Sequence, residues 1–314
     1  MTSRRCQTAR LHSAELMESR DRVHGTLAAA VTPLTAADGS IDGDGIAAVV
    51  DFYARTGLDG ILALGTTGEG ILFSVDERRF AAREFVTSAD HRLAVVVHCG
   101  AQTTHDTVVL ADHAASSGAA GVAVIPPPYF ALDAEAIWRH LDAAARACAP
   151  LPFYVYEFAA RSGYAVPVEV VRRLQSTASN LAGLKVSDAS FDQVKPYLIA
   201  GLDVFIGAEG LICQGLQSGA AGSVSGLAAA LPEFTIDAVR SGTPEASARA
   251  ARARSAIEPF PFHSALKFIL QRRGVAIEDA VRPPLRTLNA EQGQALSTLI
   301  DDSAGALAPL HLAA

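Results

Sequence analysis

The sequence lacks most of the signals that announce a protein class by themselves. Its four cysteines, Cys6, Cys99, Cys148 and Cys213, lie far apart with no C-x-x-C. That spacing argues against a disulfide framework and a cysteine-based zinc site, and it fits a reducing cytoplasm. Nine histidines include no H-E-x-x-H. No apolar run reaches the roughly 20 residues that a membrane helix needs. No basic block stands ready to neutralise phosphates, and 26 Lys+Arg against 33 Asp+Glu leave a net charge of −7. Neither nucleic acid nor a membrane is therefore an expected partner. The first residues mix Arg4, Arg5, Arg10 and Arg20 with Glu15, Glu18 and Asp21 and contain no apolar stretch of the signal-peptide kind. Residues 1–22 read as a poorly ordered extension outside the fold.

Charge as a whole is thin: 19% of 314 residues are charged and 50% are apolar. That composition excludes wholesale disorder and supplies a large core, enough for one α/β barrel or two mid-sized domains. Short apolar runs recur at 25–31, 60–64, 93–98, 121–125, 153–156, 181–185, 203–206 and 221–225. They are near-continuous rather than alternating, as strands buried on both faces of a parallel sheet are. Helical patterns at 44–57, 75–89, 105–117, 133–147, 167–178 and 208–218 separate them. Ser74 and Asp133 stand at N-cap positions, and Gly57, Gly118 and Gly219 stand where helices end. Eight β–α units over about 220 residues is the arithmetic of a (β/α)8 TIM barrel. An open doubly wound sheet is the alternative. The expected organisation is a barrel over 23–245 followed by a C-terminal helical region, 246–314, with helices at 246–257, 263–273 and 290–301.

In a barrel the chemistry gathers where strands end. Among the 26 basic side chains only Lys185, Lys195 and Lys267 are lysines. Lys185 closes the apolar strand Leu181-Ala182-Gly183-Leu184-Lys185. Arginine cannot form an imine, whereas a desolvated lysine amine can attack a ketone. The alternative is an ion pair with Glu157 or Asp188 at the barrel mouth. Lys195 and Lys267 fall in helical contexts and read as structural. Gly65-Thr66-Thr67-Gly68-Glu69-Gly70 follows the second strand and matches neither G-x-G-x-x-G nor a P-loop. Its hydroxyls and N–H groups suit a carboxylate; otherwise it is an ordinary tight loop. Tyr156 ends strand five and can relay protons to a hydroxyl such as that of Thr66; otherwise it packs, as Tyr154 does.

Together these residues resemble the dihydrodipicolinate synthase / N-acetylneuraminate lyase family of pyruvate-dependent class I aldolases. The resemblance runs from about Gly25 to about Leu288. It rests on Ala30-Val31-Thr32-Pro33-Leu34, Gly65-Thr66-Thr67-Gly68-Glu69, Pro127-Pro128-Tyr129, Tyr156, Gly183-Leu184-Lys185, Gly207-Ala208-Glu209 and Gly222-Ser223-Val224-Ser225-Gly226. It implies a homotetramer or homodimer of barrels that uses no cofactor and no metal. Lys185 would form the imine with pyruvate or a 2-keto acid. Gly65, Thr66 and Thr67 would hold the substrate carboxylate, Tyr156 would move the proton, and the Val224 carbonyl would face the pyruvate unit. Tyr129 would complete a Thr66–Tyr129–Tyr156 relay, in the synthases from a neighbouring subunit.

The sequence also departs from the family pattern. Many members read Tyr-Asn-x-Pro where this chain has Tyr156-Glu157-Phe158-Ala159. Glu157 is thus a candidate for a second acid/base or substrate contact, or for a pair with an arginine. Pro128 stands where the synthases have a first tyrosine, and a rival alignment puts Phe130 at the relay position. Arg161 matches the synthase arginine that grips a second carboxylate. Glu209-Gly210 replaces the Asp-Glu pair of sialic acid lyases, which argues against sialic acid. The expected activity is dihydrodipicolinate synthase-like, a condensation of pyruvate with an aldehyde such as aspartate semialdehyde. The alternatives are a 2-keto-3-deoxy sugar acid aldolase or dehydratase, and a catalytically silent keto-acid-binding homologue. A metal-dependent aldolase needs a ligand cluster at the strand ends, where His98 stands alone.

Overall fold

The computed structural model describes residues 23–302. The extension expected at 1–22 lies outside the described residues, as does the end of the C-terminal region. Eight parallel strands close on themselves in sequence order: β1 Gly25–Ala29, β2 Gly60–Ala63, β3 Ala94–His98, β4 Gly121–Val124, β5 Phe153–Glu157, β6 Leu181–Val186, β7 Asp203–Ile206 and β8 Gly222–Ser225. The protein is a TIM barrel, and the open-sheet alternative is excluded by the pairing of β8 with β1.

Each strand sends alternate residues to two cores. Leu27, Leu62, Val96, Ala123, Tyr154, Phe205 and Val224 fill the barrel interior. Their neighbours, among them Ile61, Val95, Val97, Val122, Val155, Leu184 and Ile206, pack outward under the helices. This double burial explains why the strands read as continuous apolar runs. Tyr154 meets Phe205 edge-on inside the barrel, with ring centroids 6.0 Å apart, so it is a packing residue. Gly183 has no substitute: a Cβ there would lie 1.9 Å from the Asp203 carbonyl oxygen and would push β6 off β7.

The main helices are α1 Gly43–Thr56, α2 Val75–Ala89, α3 Thr104–Ser116, α4 Ala134–Cys148, α5 Val168–Thr177, α6 Ile212–Gln217, α7 Pro232–Ser241, α8 Pro244–Ile257, α9 Phe262–Arg272 and α10 Ala290–Asp301. Ser74 forms a full capping box with Glu77 at the start of α2, Asp133 caps α4, and Gly57 ends α1 at a φ of 83°. α7, which completes the eighth unit, was not foreseen in the sequence. Its start is set by Pro232 at the first helical position after a buried Leu231 rather than by a side-chain cap. Between β6 and β7 a single α-turn, Phe191–Val194, tightens into a 3-10 turn, Lys195–Tyr197, that contains Pro196. No described helix is long and apolar enough to cross a membrane.

Candidate active site

β5 and β6 pair with Tyr156 opposite Lys185. Both side chains enter the barrel mouth, and the Lys185 Nζ lies 3.8 Å from the centre of the Tyr156 ring. Lys185 is buried, at 7% exposure, and makes no ion pair with Glu157 or Asp188 among the described residues. The Tyr156 hydroxyl lies 3.2 Å from Thr66 Oγ1. Three side chains from β5, β6 and the loop after β2 thus form a continuous chain of contacts.

The Gly65–Glu69 loop is held from outside as well as by its own turns. Leu64 and Glu69 flank it with φ of 59° each, a conformation that costs on the order of 1 kcal/mol for non-glycine residues. At Gly70 any Cβ would fall 1.9 Å from the Leu64 carbonyl oxygen. The Thr32 hydroxyl donates to the Gly68 carbonyl at 2.7 Å. Burial pushes His263 down, so the neutral ring donates Nε2–H to the Thr66 carbonyl at 3.1 Å. Glu69 accepts from Lys267 Nζ at 2.7 Å and from the Arg282 N–H at 2.6 Å. Among the described residues, the backbone N–H groups of Thr66 and Thr67 have no protein acceptor. They are free donors beside the two threonine hydroxyls.

Thr66, Thr67, Tyr156, Arg161, Lys185 and Val224 line one cavity of about 320 Å³. That volume suits a small ligand. Gly65 lines an adjoining hollow with Thr66, His98 and Arg161. Arg161 is exposed at the rim, its guanidinium 5.7 Å from the centre of the Phe158 ring, with no ion pair among the described residues. Ser187, Arg254 and Phe262 join the wall. They come from the chain after β6 and from the C-terminal helices, and no motif marked them in the sequence.

One sequence expectation is corrected. Glu157 does not line the cavity. It follows Tyr156 by one residue, so strand alternation turns it to the outer face, where it is fully buried and accepts from the Val166 N–H at 2.7 Å. It pairs with no arginine among the described residues. Tyr129 does not reach Thr66 or Tyr156 within the chain. The triple-proline segment carries it outward to 87% exposure at a φ of 88°, its ring edge-on to the exposed Phe130.

His98 bonds to the Leu64 carbonyl through Nδ1 at 3.1 Å and accepts from the Ile125 N–H through Nε2 at 3.4 Å. Burial pushes it down to about 3, so it is a neutral, satisfied core histidine. No group of three metal-binding side chains occurs among the described residues.

Known proteins resemble this chain in sequence and fold. The model of the dihydrodipicolinate synthetase family matches residues 22–303. A DapA-like lyase of uncharacterised activity from Halobacterium salinarum is 33% identical over 296 residues, covering 89% of this chain and 94% of that protein. A 4-hydroxy-tetrahydrodipicolinate synthase from Chelativorans sp. is 29% identical over 282 residues, covering 86% and 94%. Among solved structures, Proteus mirabilis N-acetylneuraminate lyase superimposes with a TM-score of 0.81 at 27% identity, covering 88% of this chain and 97% of that one. The chain belongs to the dihydrodipicolinate synthetase family and is a lyase of the class I aldolase type.

Proposed function

We propose that the protein forms a Schiff base between Lys185 and pyruvate or a related 2-keto acid, and joins or breaks a bond at the adjacent carbon. The observation that carries this reading is the contact chain from the Lys185 amine through Tyr156 to Thr66. The amine adds to the keto carbon, and loss of water gives an imine. The protonated imine draws electrons from C3, so a proton leaves C3 without a metal. Tyr156, in contact with both the amine and Thr66, carries that proton in this reading. The free N–H groups and hydroxyls of Thr66 and Thr67 hold the carboxylate, and the Val224 carbonyl closes the opposite side.

For the second substrate we propose an aldehyde bearing an anionic end, aspartate semialdehyde being the model case, with Arg161 as its ligand. An unpaired arginine at the rim of the cavity supports this, because its planar fork binds a carboxylate in two places. A 2-keto-3-deoxy sugar acid is the second reading. The Ser187 hydroxyl favours it, since it lines the cavity with no hydrogen-bond partner among the described residues and suits a hydroxylated chain. Tyr129 enters the proposal only through a second copy of the chain, in a homotetramer or homodimer. The exposed Tyr129 and Phe130 support such an assembly. Free, buried Cys99, Cys148 and Cys213 agree with a cytoplasmic site of action.

The test is covalent trapping. Pyruvate with borohydride should add one adduct per chain, mapping to the Lys185 peptide. Protein left unlabelled by every 2-keto acid tried would end this reading.

A further inference from the structure

The segment after β5, residues 158–166, delivers two side chains to the cavity, Phe158 and Arg161. Phe158 stacks on Tyr156, with rings 6.2 Å apart and 28° from parallel, and Arg161 lies against Phe158. A ladder of contacts therefore runs from Lys185 through Tyr156 and Phe158 to Arg161. The outermost member, Arg161, makes no ion pair among the described residues, so the ladder alone leaves its charged end free.

Besides its own helical turn at Ala159–Ser162, the segment is held from behind the strand. Glu157 closes the segment on itself through the bond from the Val166 N–H to its Oε2. The Tyr197 hydroxyl donates to the Val166 carbonyl at 2.7 Å, and the Tyr164 hydroxyl donates to the Pro127 carbonyl at 2.7 Å. At the other end of the segment the Ala159 N–H faces the carboxyls of both Glu157 and Asp188. Glu157 Oε1 is sealed from solvent and has no partner at hydrogen-bond distance among the described residues. A buried, half-satisfied carboxyl is costly, and a core built for stability alone would not favour one there.

We propose that Glu157 is a positioning residue for substrate selection: its buried carboxyl staples residues 158–166 to the end of β5 and so sets Phe158 and Arg161 over the cavity. Glu157 touches no substrate. It acts on the distal group through the segment it closes, and it leaves Lys185 and the Thr66–Thr67 end alone. Glutamine keeps an acceptor for the Val166 N–H, whereas alanine removes it.

This inference rests on the Schiff-base reading, and the experiment separates the two. Borohydride trapping on the full chain is titrated with pyruvate, which has no distal group, and with 2-ketoadipate, which ends in a carboxylate. In Glu157→Ala the half-saturating 2-ketoadipate concentration should rise about tenfold, with pyruvate within twofold of wild type. Glu157→Gln should restore 2-ketoadipate labelling. Tyr197→Phe, a milder change that keeps the carboxyl, should shift 2-ketoadipate in the same direction by a smaller factor, and it stands in if the alanine variant does not fold. Equal shifts for both keto acids, no shift in either, or a glutamine variant as impaired as alanine would overturn the positioning role. Wild-type protein that no keto acid labels would instead overturn the Schiff-base reading beneath it.

Discussion

Lys267 and Glu69 form an ion pair at 2.7 Å in which both side chains are wholly shut off from solvent. The pair joins α9, in the C-terminal helical region, to the loop that carries Thr66 and Thr67. Glu69 thereby supports the loop rather than meeting the substrate. The Lys267 carbon stem is packed too, and its amine also donates to the Ala280 carbonyl at 2.6 Å.

Lys267→Met should be severely destabilising, by about 3–5 kcal/mol, because it leaves a carboxylate buried with only the Arg282 N–H for company. Lys195→Met, at an exposed position, should stay within about 0.5 kcal/mol of wild type. Denaturant midpoints measure both. Comparable effects would show that the buried pair is dispensable.

Lys185→Arg should fold with near-native stability and lose turnover by several orders of magnitude. Arginine preserves the charge and most of the contact with Tyr156 but has no nucleophilic amine. Circular dichroism and a pyruvate-consumption assay give the two readouts. Residual activity within tenfold of wild type would contradict a covalent role for Lys185.

Arg161→Ala should raise the KM for an anionic second substrate by about 10- to 100-fold while moving the KM for pyruvate less than threefold. A charge-assisted pair is worth about 1.5–3 kcal/mol, and uniform binding lost at one end appears in KM. The comparison needs aspartate semialdehyde and an uncharged aldehyde side by side. Loss of the same factor for both would make Arg161 a structural residue.

Glu157 also makes stability depend on pH. Burial pushes its carboxyl up to about 7, with the Val166 N–H pulling it back and the Asp188 carboxyl adding to the rise. Burial raises Asp188 as well, and Tyr197 faces both acids. A raised folded value means that the native state holds the proton more tightly than the unfolded chain does. The stabilisation is complete below about 4.5 and is lost as pH rises through about 7. Between pH 5 and pH 8 the wild-type melting temperature should fall further than that of Glu157→Gln, by about 2–5 °C. Parallel pH profiles for the two proteins would refute the assignment.

How much of this was legible beforehand follows from the range of each interaction. Continuous apolar runs at a regular spacing mark strands buried on both faces, so the barrel order and the strand ends were readable. The ends brought Lys185, Tyr156 and Thr66 to one face because neighbouring strands in a closed barrel finish together. The rarity of lysine pointed to Lys185, and it pointed equally to Lys267, whose helical setting disguised a buried charge. Glu157 was readable in part: period-two alternation from Tyr154 and Tyr156 turns position 157 outward, a signal that the unusual Tyr-Glu pairing obscured.

Local sequence determined the strands, the caps at Ser74 and Asp133, and the chemical groups at the barrel mouth, since those depend on neighbours a few residues away. Only the tertiary structure decided what holds the groups. Glu69 meets Lys267 across 198 residues of chain, and His263 reaches Thr66 across 197. Arg254 and Phe262 become cavity wall only when the C-terminal helices fold back over the strand ends. Such pairings leave no periodic trace in a sequence, because their partners are brought together by chain packing and not by spacing along the chain.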